Sequence, residues 1–138
     1  MKIFDEIKTT YLKSLLKKAK KASDEGRYSQ QILLCEKVLS KITTPKSQAS
    51  IYFKALLGSA IGYKSVGDIE RSQGLLERAR IEYSLEPDEL YTDILSRLTD
   101  IYMLREDYVT AEKILIELTG LKKQLDLPSD FEYAYDLA

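Results

Sequence analysis

Apolar residues recur along this chain at the three- and four-residue spacing of helices that bury one side. In the first two stretches, the residues predicted to be buried are Ile7, Tyr11, Leu12, Leu15, Leu16, Ala19, Ile32, Leu33, Cys35, Val38, Leu39 and Ile42. Short runs of glycine, proline or polar residues interrupt the pattern. It predicts six main helices, over about residues 3–23, 29–42, 45–66, 69–85, 88–105 and 108–125, with Pro45 in the first turn of the third helix.

Three short turns of similar sequence divide these helices into pairs. They are Gly26-Arg27-Tyr28, Gly67-Asp68-Ile69 and Glu106-Asp107-Tyr108. Their last residues are 41 and 39 positions apart, and a fixed period near 40 is typical of stacked helical hairpins. We therefore predict a single all-α domain, a solenoid with hairpins over about residues 3–42, 46–85 and 88–125.

The last residues predict a short seventh helix, over about residues 129–137. Ser129 and Glu132 have the spacing of a capping box, in which each side chain accepts a backbone N–H of the other residue. Phe131, Ala134 and Tyr135 fall on one side of this helix. We interpret it as a lid on the last hairpin. The alternatives are a chain taken from a longer array and an acidic, aromatic tail that docks elsewhere.

Large, small and aromatic residues return in the same order within the pairs. The third pair has Leu95, Leu98, Thr99, Tyr102, Tyr108, Ala111 and Leu115. The second has Leu56, Ser59, Ala60, Tyr63, Ser72, Leu76 and Ala79, and the first has Leu15, Lys18, Ala19, Ala22, Tyr28, Gln31 and Cys35. This order resembles that of the tetratricopeptide repeat family, whose usual period is shorter, at about 34 residues. The resemblance implies a right-handed superhelix with a concave groove for a segment of a partner protein.

In that family the first helix of each pair lines the groove, so the resemblance implies three groups of binding residues. Lys13, Leu16, Lys17 and Lys20 would form the first third. Lys54, Leu57, Gly58, Ile61 and Lys64 would form the middle, and Asp93, Ser96, Arg97, Asp100 and Leu104 the last. Some relatives clamp a C-terminal carboxylate with Asn and Lys. Gly58 and Asp93 stand at those positions here, so we do not predict that ligand.

The net charge of −1 conceals a gradient along the chain. Residues 1–46 carry 11 basic and 5 acidic residues, whereas residues 87–138 carry 5 basic and 12 acidic residues. Four lysines of the first helix fall within an arc of about 100° and form one basic strip: Lys13, Lys17, Lys20 and Lys21. This strip is interpreted as a solvated face, a docking site for an acidic segment, or a nucleic-acid site. The pI near 5.6 and the lack of aromatic residues between the lysines argue against the last.

The residue types that carry most catalysis and metal binding are scarce. The chain has no histidine and one cysteine, Cys35, which lies on the apolar side of the second helix. No glycine spacing matches a phosphate-binding loop. We therefore predict no enzyme activity, no cofactor and no metal site. A lone cysteine, an N-terminus unlike a signal peptide and the lack of a long apolar run predict a cytoplasmic protein without a membrane span.

The roles of two glycines and of the tyrosines have more than one interpretation. Gly58 and Gly62 lie one turn apart within a helix, which indicates close packing of a neighbouring helix or close approach of a bound chain. Four of the ten tyrosines are expected in the core, namely Tyr28, Tyr63, Tyr102 and Tyr108. Five others are candidate exposed anchors, namely Tyr52, Tyr83, Tyr91, Tyr133 and Tyr135.

These observations predict a protein-interaction adaptor or scaffold that binds a peptide or helix of a partner in a concave groove. The main alternative is a self-associating assembly subunit, because the basic N-terminal and acidic C-terminal ends are complementary. The lesser alternative is nucleic-acid binding through the lysine strip.

Overall fold

The computed structural model describes residues 2–43 and 45–128. Within those residues the regular elements are all α-helices: α1 (Lys2–Asp24), α2 (Tyr28–Lys41), α3 (Ala49–Ser65), α4 (Ile69–Glu82), α5 (Glu89–Leu104) and α6 (Tyr108–Gln124). The prediction of an all-α chain with six main helices is confirmed for this part of the sequence. The predicted terminal helix, with Ser129 and Glu132, lies outside the described residues.

Most predicted boundaries fall within one or two residues of those observed, but two are wrong. α3 begins at Ala49, and Pro45 belongs to a turn that precedes the helix. α4 ends at Glu82 instead of residue 85, because Tyr83 leaves the helical conformation with a ψ of 114°. The ring of Tyr83 then packs against Phe53, with ring centroids 4.7 Å apart.

The same turn closes the helices that begin each pair. Gly26, Gly67 and Glu106 adopt positive φ angles of 75°, 90° and 60°. In each turn, the following residue donates its backbone N–H five positions back, to the carbonyls of Ala22, Tyr63 and Tyr102, over 2.7, 2.8 and 2.9 Å. This is the Schellman arrangement, in which a left-handed residue lets the chain satisfy the free carbonyls of the helix end. The turn repeats at the predicted spacing because its hydrogen bonds depend only on local sequence.

Aspartate side chains cap the N-termini of α4, α5 and α6. The carboxylates of Asp68, Asp88 and Asp107 accept backbone N–H groups of Arg71, Tyr91 and Thr110 at 3.1, 3.1 and 3.2 Å. Such N-caps satisfy one of the unpaired amides of the first helical turn. Gln48, at the start of α3, makes no side-chain cap.

Glu106 is the one residue of the three repeated turns that pays a steric cost for its positive φ. We expect Glu106→Gly to raise the free energy of unfolding by about 1 kcal/mol, since glycine adopts this conformation without strain. Gly67→Ala, the reverse change in the equivalent turn at φ 90°, should lower it by a similar amount. Urea unfolding of both variants checks the prediction. Destabilisation by Glu106→Gly would contradict it.

The chain forms two compact units, Met1–Leu85 and Glu86–Ala138. In the first unit α2 packs against α1 and α3, α3 packs against α4, and α1 also contacts α3 directly. α3 is central to this unit and is buried on most of its circumference. Part of the core joins three helices through Leu12, Leu15, Val38, Ile51 and Ala55.

The second unit contains α5 packed against α6. Its buried apolar residues are Ile94, Leu95, Leu98, Ile101, Ala111, Ile114 and Leu118. Thr99 and Thr119 each donate a hydroxyl to the carbonyl four residues earlier, at 2.9 and 2.8 Å, and so satisfy themselves within their own helices. The prediction of one domain over the whole chain stays a prediction.

Several residues predicted to be buried are exposed. Ile7 is 61% exposed and Leu33 62% exposed, and Tyr11 is also exposed. Leu16, Leu39 and Ile42 are only partly buried. α1 packs mainly against α2 and α3, and its apolar stripe is wider than the side that these neighbours cover.

The predicted burial of the tyrosines is also wrong in part. Tyr108, expected in the core, is 57% exposed, and Tyr28, Tyr63 and Tyr102 are half-buried. Tyr52, expected at the surface, is 5% exposed because it lies on the central helix α3. Tyr133 and Tyr135 lie outside the described residues.

Candidate partner-binding groove

A surface groove of about 440 Å³ lies between α1 and α3, the first helices of the first two hairpins. One wall comes from the middle of α1 and the other from the beginning of α3 and the turn before it. The lining residues are Thr9, Lys13, Leu16, Ser47, Gln48, Ala49, Ser50, Ile51 and Lys54.

The local fold of α3 determines the shape of this groove. Because α3 begins only at Ala49, Ser47 and Gln48 belong to the preceding turn, and both line the groove. The Gln48 side chain donates to Thr9 Oγ1 over 3.4 Å, so it joins the turn to α1 instead of capping its own helix. The first turn of α3 therefore brings the positive end of a helix dipole to the groove.

The groove combines two cations with an apolar floor. Lys13 and Lys54 are both exposed, and no carboxylate is among the lining residues. Leu16 is half-buried and Ile51 is buried, and both line the groove. This arrangement suits a ligand that carries negative charge together with an apolar group.

The structure brings together part of the set of residues predicted from the family resemblance. Lys13, Leu16 and Lys54 line the same groove. Lys17 and Lys20 are exposed on α1 beyond the lining residues, in continuation of the basic strip. The remaining middle residues of the prediction do not line the groove: Ile61 and Lys64 are half-buried, and Leu57 is buried.

Gly58, which the family resemblance places in the groove, lies where α3 packs against α2. A Cβ atom built on Gly58 would come within 2.7 Å of Cys35 Sγ, and one on Gly62 within 2.6 Å of Ile32 Cγ1. Gln31 also donates its Nε2 to the Gly58 carbonyl over 2.8 Å. These contacts favour close helix packing over close approach of a bound chain.

The last five predicted residues lie on α5 in the second unit. Asp93, Arg97, Asp100 and Leu104 are exposed, and Ser96 is half-buried. Desolvation raises the pKa of Asp93 above its usual value, and the charges of Arg97 and Lys122 oppose that rise. Asp93, Arg97, Asp100 and Leu104 follow one another every three or four residues along α5.

A second depression, of about 510 Å³, lies between α2 and α4 and includes Glu36, Tyr63, Arg71 and Arg78. Its cations already have partners in the chain. Arg71 lies 3.5 Å from Asp68 and stacks over the Tyr63 ring, 5.5 Å from its centroid. The Tyr63 hydroxyl donates to the Glu36 carboxylate, and this hydrogen bond is the largest cause of the raised pKa of Tyr63.

Arg78 belongs to a similar internal network at one end of the same depression. It donates to the Tyr52 hydroxyl over 2.7 Å and to Glu82 over 3.1 Å, and Tyr52 donates to Glu82 over 2.5 Å. These hydrogen bonds join α3 to α4, and they pair the Arg78 guanidinium with groups of the chain itself. The groove between α1 and α3 is therefore the better candidate for an external ligand.

Sequence reasoning missed the wall of the groove that the turn supplies. Ser47 and Gln48 of this turn were not predicted as site residues, and neither were Thr9 of α1 or Ala49, Ser50 and Ile51 of α3. The available signal was the run Pro45-Lys46-Ser47-Gln48, which the helix pattern assigns to a helical first turn. Serine and proline are common in turns, so this run was compatible with the turn that is observed.

Other classes of site find little support in the described residues. Cys35 is buried, and burial raises the pKa of its thiol to about 12, so the reactive thiolate is scarce near neutral pH. Within residues 2–43 and 45–128, no three His, Cys, Asp or Glu side chains lie together as metal ligands would. None of the helices in those ranges is long and apolar enough to cross a membrane.

Searches against protein-family models, curated proteins and solved structures found no match to this chain.

Proposed function

We propose that this chain is a protein-interaction adaptor that binds a segment of a partner protein in the groove between α1 and α3. The observation that carries the proposal is the groove itself, because exposed Lys13 and Lys54 line it together with Leu16 and Ile51. Grooves between helices, with an apolar floor and a few polar groups, are common binding sites for peptides and helices.

We further propose that the three hairpins are tetratricopeptide-like repeats in a right-handed superhelix. The repeated Schellman turns at Gly26, Gly67 and Glu106 support this assignment, because their spacing is that of the sequence repeat. The direct contact between α1 and α3 supports it as well, since first helices of successive repeats line one groove in that family.

A second candidate function is self-association. It is favoured by the charge gradient along the sequence and by an exposed apolar strip on α1, defined by Ile3, Phe4, Ile7 and Tyr11. Electrostatic assembly should dissolve as ionic strength rises toward 1 M, where the Debye length falls to about 3 Å. A monomer at low salt and high protein concentration, measured by sedimentation velocity, would remove this candidate.

Affinity capture from a native lysate, with and without nuclease, tests the adaptor proposal. The full chain is compared with the double variant Lys13→Glu/Lys54→Glu, and Lys18→Glu/Lys37→Glu is the matched control, with the same charge change on exposed residues outside the groove. We expect one protein in near-equal amount that resists nuclease, is lost with the groove variant and is kept with the control.

Three other results would count against the adaptor proposal. Recovery of the bait alone would support self-association. Loss of the captured material on nuclease treatment would support nucleic-acid binding through the lysine strip. Equal recovery by the wild type and the groove variant would place the binding site elsewhere.

A further inference from the structure

We propose that the partner segment bound between α1 and α3 is acidic, with carboxylates paired to Lys13 and Lys54 and an apolar side chain on Leu16 and Ile51. This inference rests on the proposed function and adds the chemistry of the ligand to it.

The first argument is the charge of the groove. Lys13 and Lys54 face solvent on opposite walls, and neither has an acidic partner within the described residues. Ion pairs found there include Arg27 with Glu25, Arg71 with Asp68 and Arg78 with Glu82, and these three pairs involve neither lysine. Two unpaired ammonium groups on opposite sides of one opening attract carboxylates and disfavour cations in the same place.

The second argument is the set of donor groups at the start of α3. The hydroxyl groups of Thr9 and Ser50 donate and accept alike, and the Gln48 amide already donates to Thr9 Oγ1, so these side chains favour neither kind of ligand. The first backbone amides of α3 have no carbonyl within their own helix, and Gln48 provides no side-chain cap. The lysines and these backbone amides only donate, so a ligand with acceptor oxygens fits them better than a ligand with donors.

The third argument concerns size, and it favours a peptide over a free anion. From Lys13 to Lys20 the basic strip runs about 10 Å along α1, at 1.5 Å per residue. An extended peptide covers that distance with roughly three residues. The strip and the groove together thus offer several positive positions in a row, with Leu16 half-buried among them.

The same lining argues against a nucleic acid as the occupant. Single-stranded nucleic acids gain much of their affinity by stacking bases on aromatic side chains. No aromatic residue lines this groove, and Tyr11, the exposed aromatic residue nearest in sequence to Lys13, is not among its lining residues.

The test is selection of peptides from a random heptapeptide library, displayed on phage, against the immobilised full-length protein. We expect the selected peptides to be enriched in Asp and Glu over the starting library and to contain at least one large apolar residue. A synthetic copy of a selected peptide should lose about tenfold or more in affinity for Lys13→Glu/Lys54→Glu. Its affinity for the control Lys18→Glu/Lys37→Glu should stay within about twofold, because these lysines lie outside the groove.

The outcomes separate the inference from the function on which it rests. Selected peptides without acidic enrichment, or acidic peptides that bind the groove variant unchanged, would overturn the inference and leave peptide binding itself intact. Failure to select any peptide would overturn both. If the charge-reversed variant does not fold by circular dichroism, Lys13→Gln/Lys54→Gln takes its place, with the same expected loss.

Discussion

Replacing Phe53 by alanine is expected to lower the free energy of unfolding by about 3–5 kcal/mol, the usual cost of removing a buried aromatic side chain. Phe53 lies on α3 and is 2% exposed. Its ring packs edge-on against Tyr52, with centroids 5.2 Å apart, and against Tyr83, with centroids 4.7 Å apart. The cost should be large because the cavity would open in the helix that contacts all the others of its unit.

Phe4→Ala is the matched control for this prediction. The same side chain is removed, but Phe4 is 75% exposed on α1, so the expected change is within about 0.5 kcal/mol. Chemical denaturation followed by circular dichroism measures both variants under the same conditions. If the two substitutions cost the same, or Phe4→Ala costs more, then α3 is not the centre of the core.

The double variant Gly58→Ala/Gly62→Ala is expected to be destabilised by about 2 kcal/mol. Alanine normally stabilises a helix by about 1 kcal/mol relative to glycine. Here the new Cβ atoms would come within 2.7 Å of Cys35 Sγ and 2.6 Å of Ile32 Cγ1. The side chains of Cys35 and Ile32, or α2 with them, would have to move. Overpacking of this kind costs roughly 1–3 kcal/mol per site, which exceeds the gain in helix propensity.

Gly74 supplies the control, because it lies within α4 and a Cβ atom added there meets nothing within 4 Å. Gly74→Ala should therefore stabilise the protein by about 1 kcal/mol. Every substitution here is glycine to alanine within a helix, and the positions differ in what surrounds them. We therefore expect the changes in the free energy of unfolding to have opposite signs in the two variants. A rise in melting temperature for the Gly58/Gly62 variant would show that α2 and α3 do not pack as closely as described.

The helices and their turns were largely predictable because the signals are local. Gly67 at a positive φ and Asp68 at the next N-cap are sufficient to end one helix and begin another. Glu106 at the equivalent position was recognised only through the spacing of the repeat. The start of α3 was missed since proline and serine are compatible with both a helical first turn and an open one.

The burial of individual residues was less predictable, because it depends on which neighbours a helix acquires. Ile7 and Leu33 fit a helical apolar stripe as well as Leu15 or Val38 do, yet no described helix covers them. The same limit affects the site. The family resemblance placed Lys13, Leu16, Lys54 and Gly58 in one groove. The first three line the groove between α1 and α3, whereas Gly58 lies against Cys35 of α2.

The charges of the groove were visible in the sequence, but their meaning was not. A strip of lysines on a helix is compatible with a solvated face, a docking site or a nucleic-acid site. The structure adds that Lys54 of a different helix lies on the opposite wall, and that no carboxylate lines the opening. Pairing of cations across a groove cannot be read from the spacing within one helix, since it requires the packing of α1 against α3.

Amide hydrogen exchange, measured by mass spectrometry on the full chain alone and in complex with its captured partner, tests the central claim most directly. We expect the partner to slow exchange in residues 9–16 and 47–54, which form the two walls of the groove. The turn before α3 and its first helical residues should respond most, because their amides lack intrahelical acceptors. Protection confined to the depression between α2 and α4 or to the apolar strip of α1, with residues 47–54 unchanged, would contradict the account.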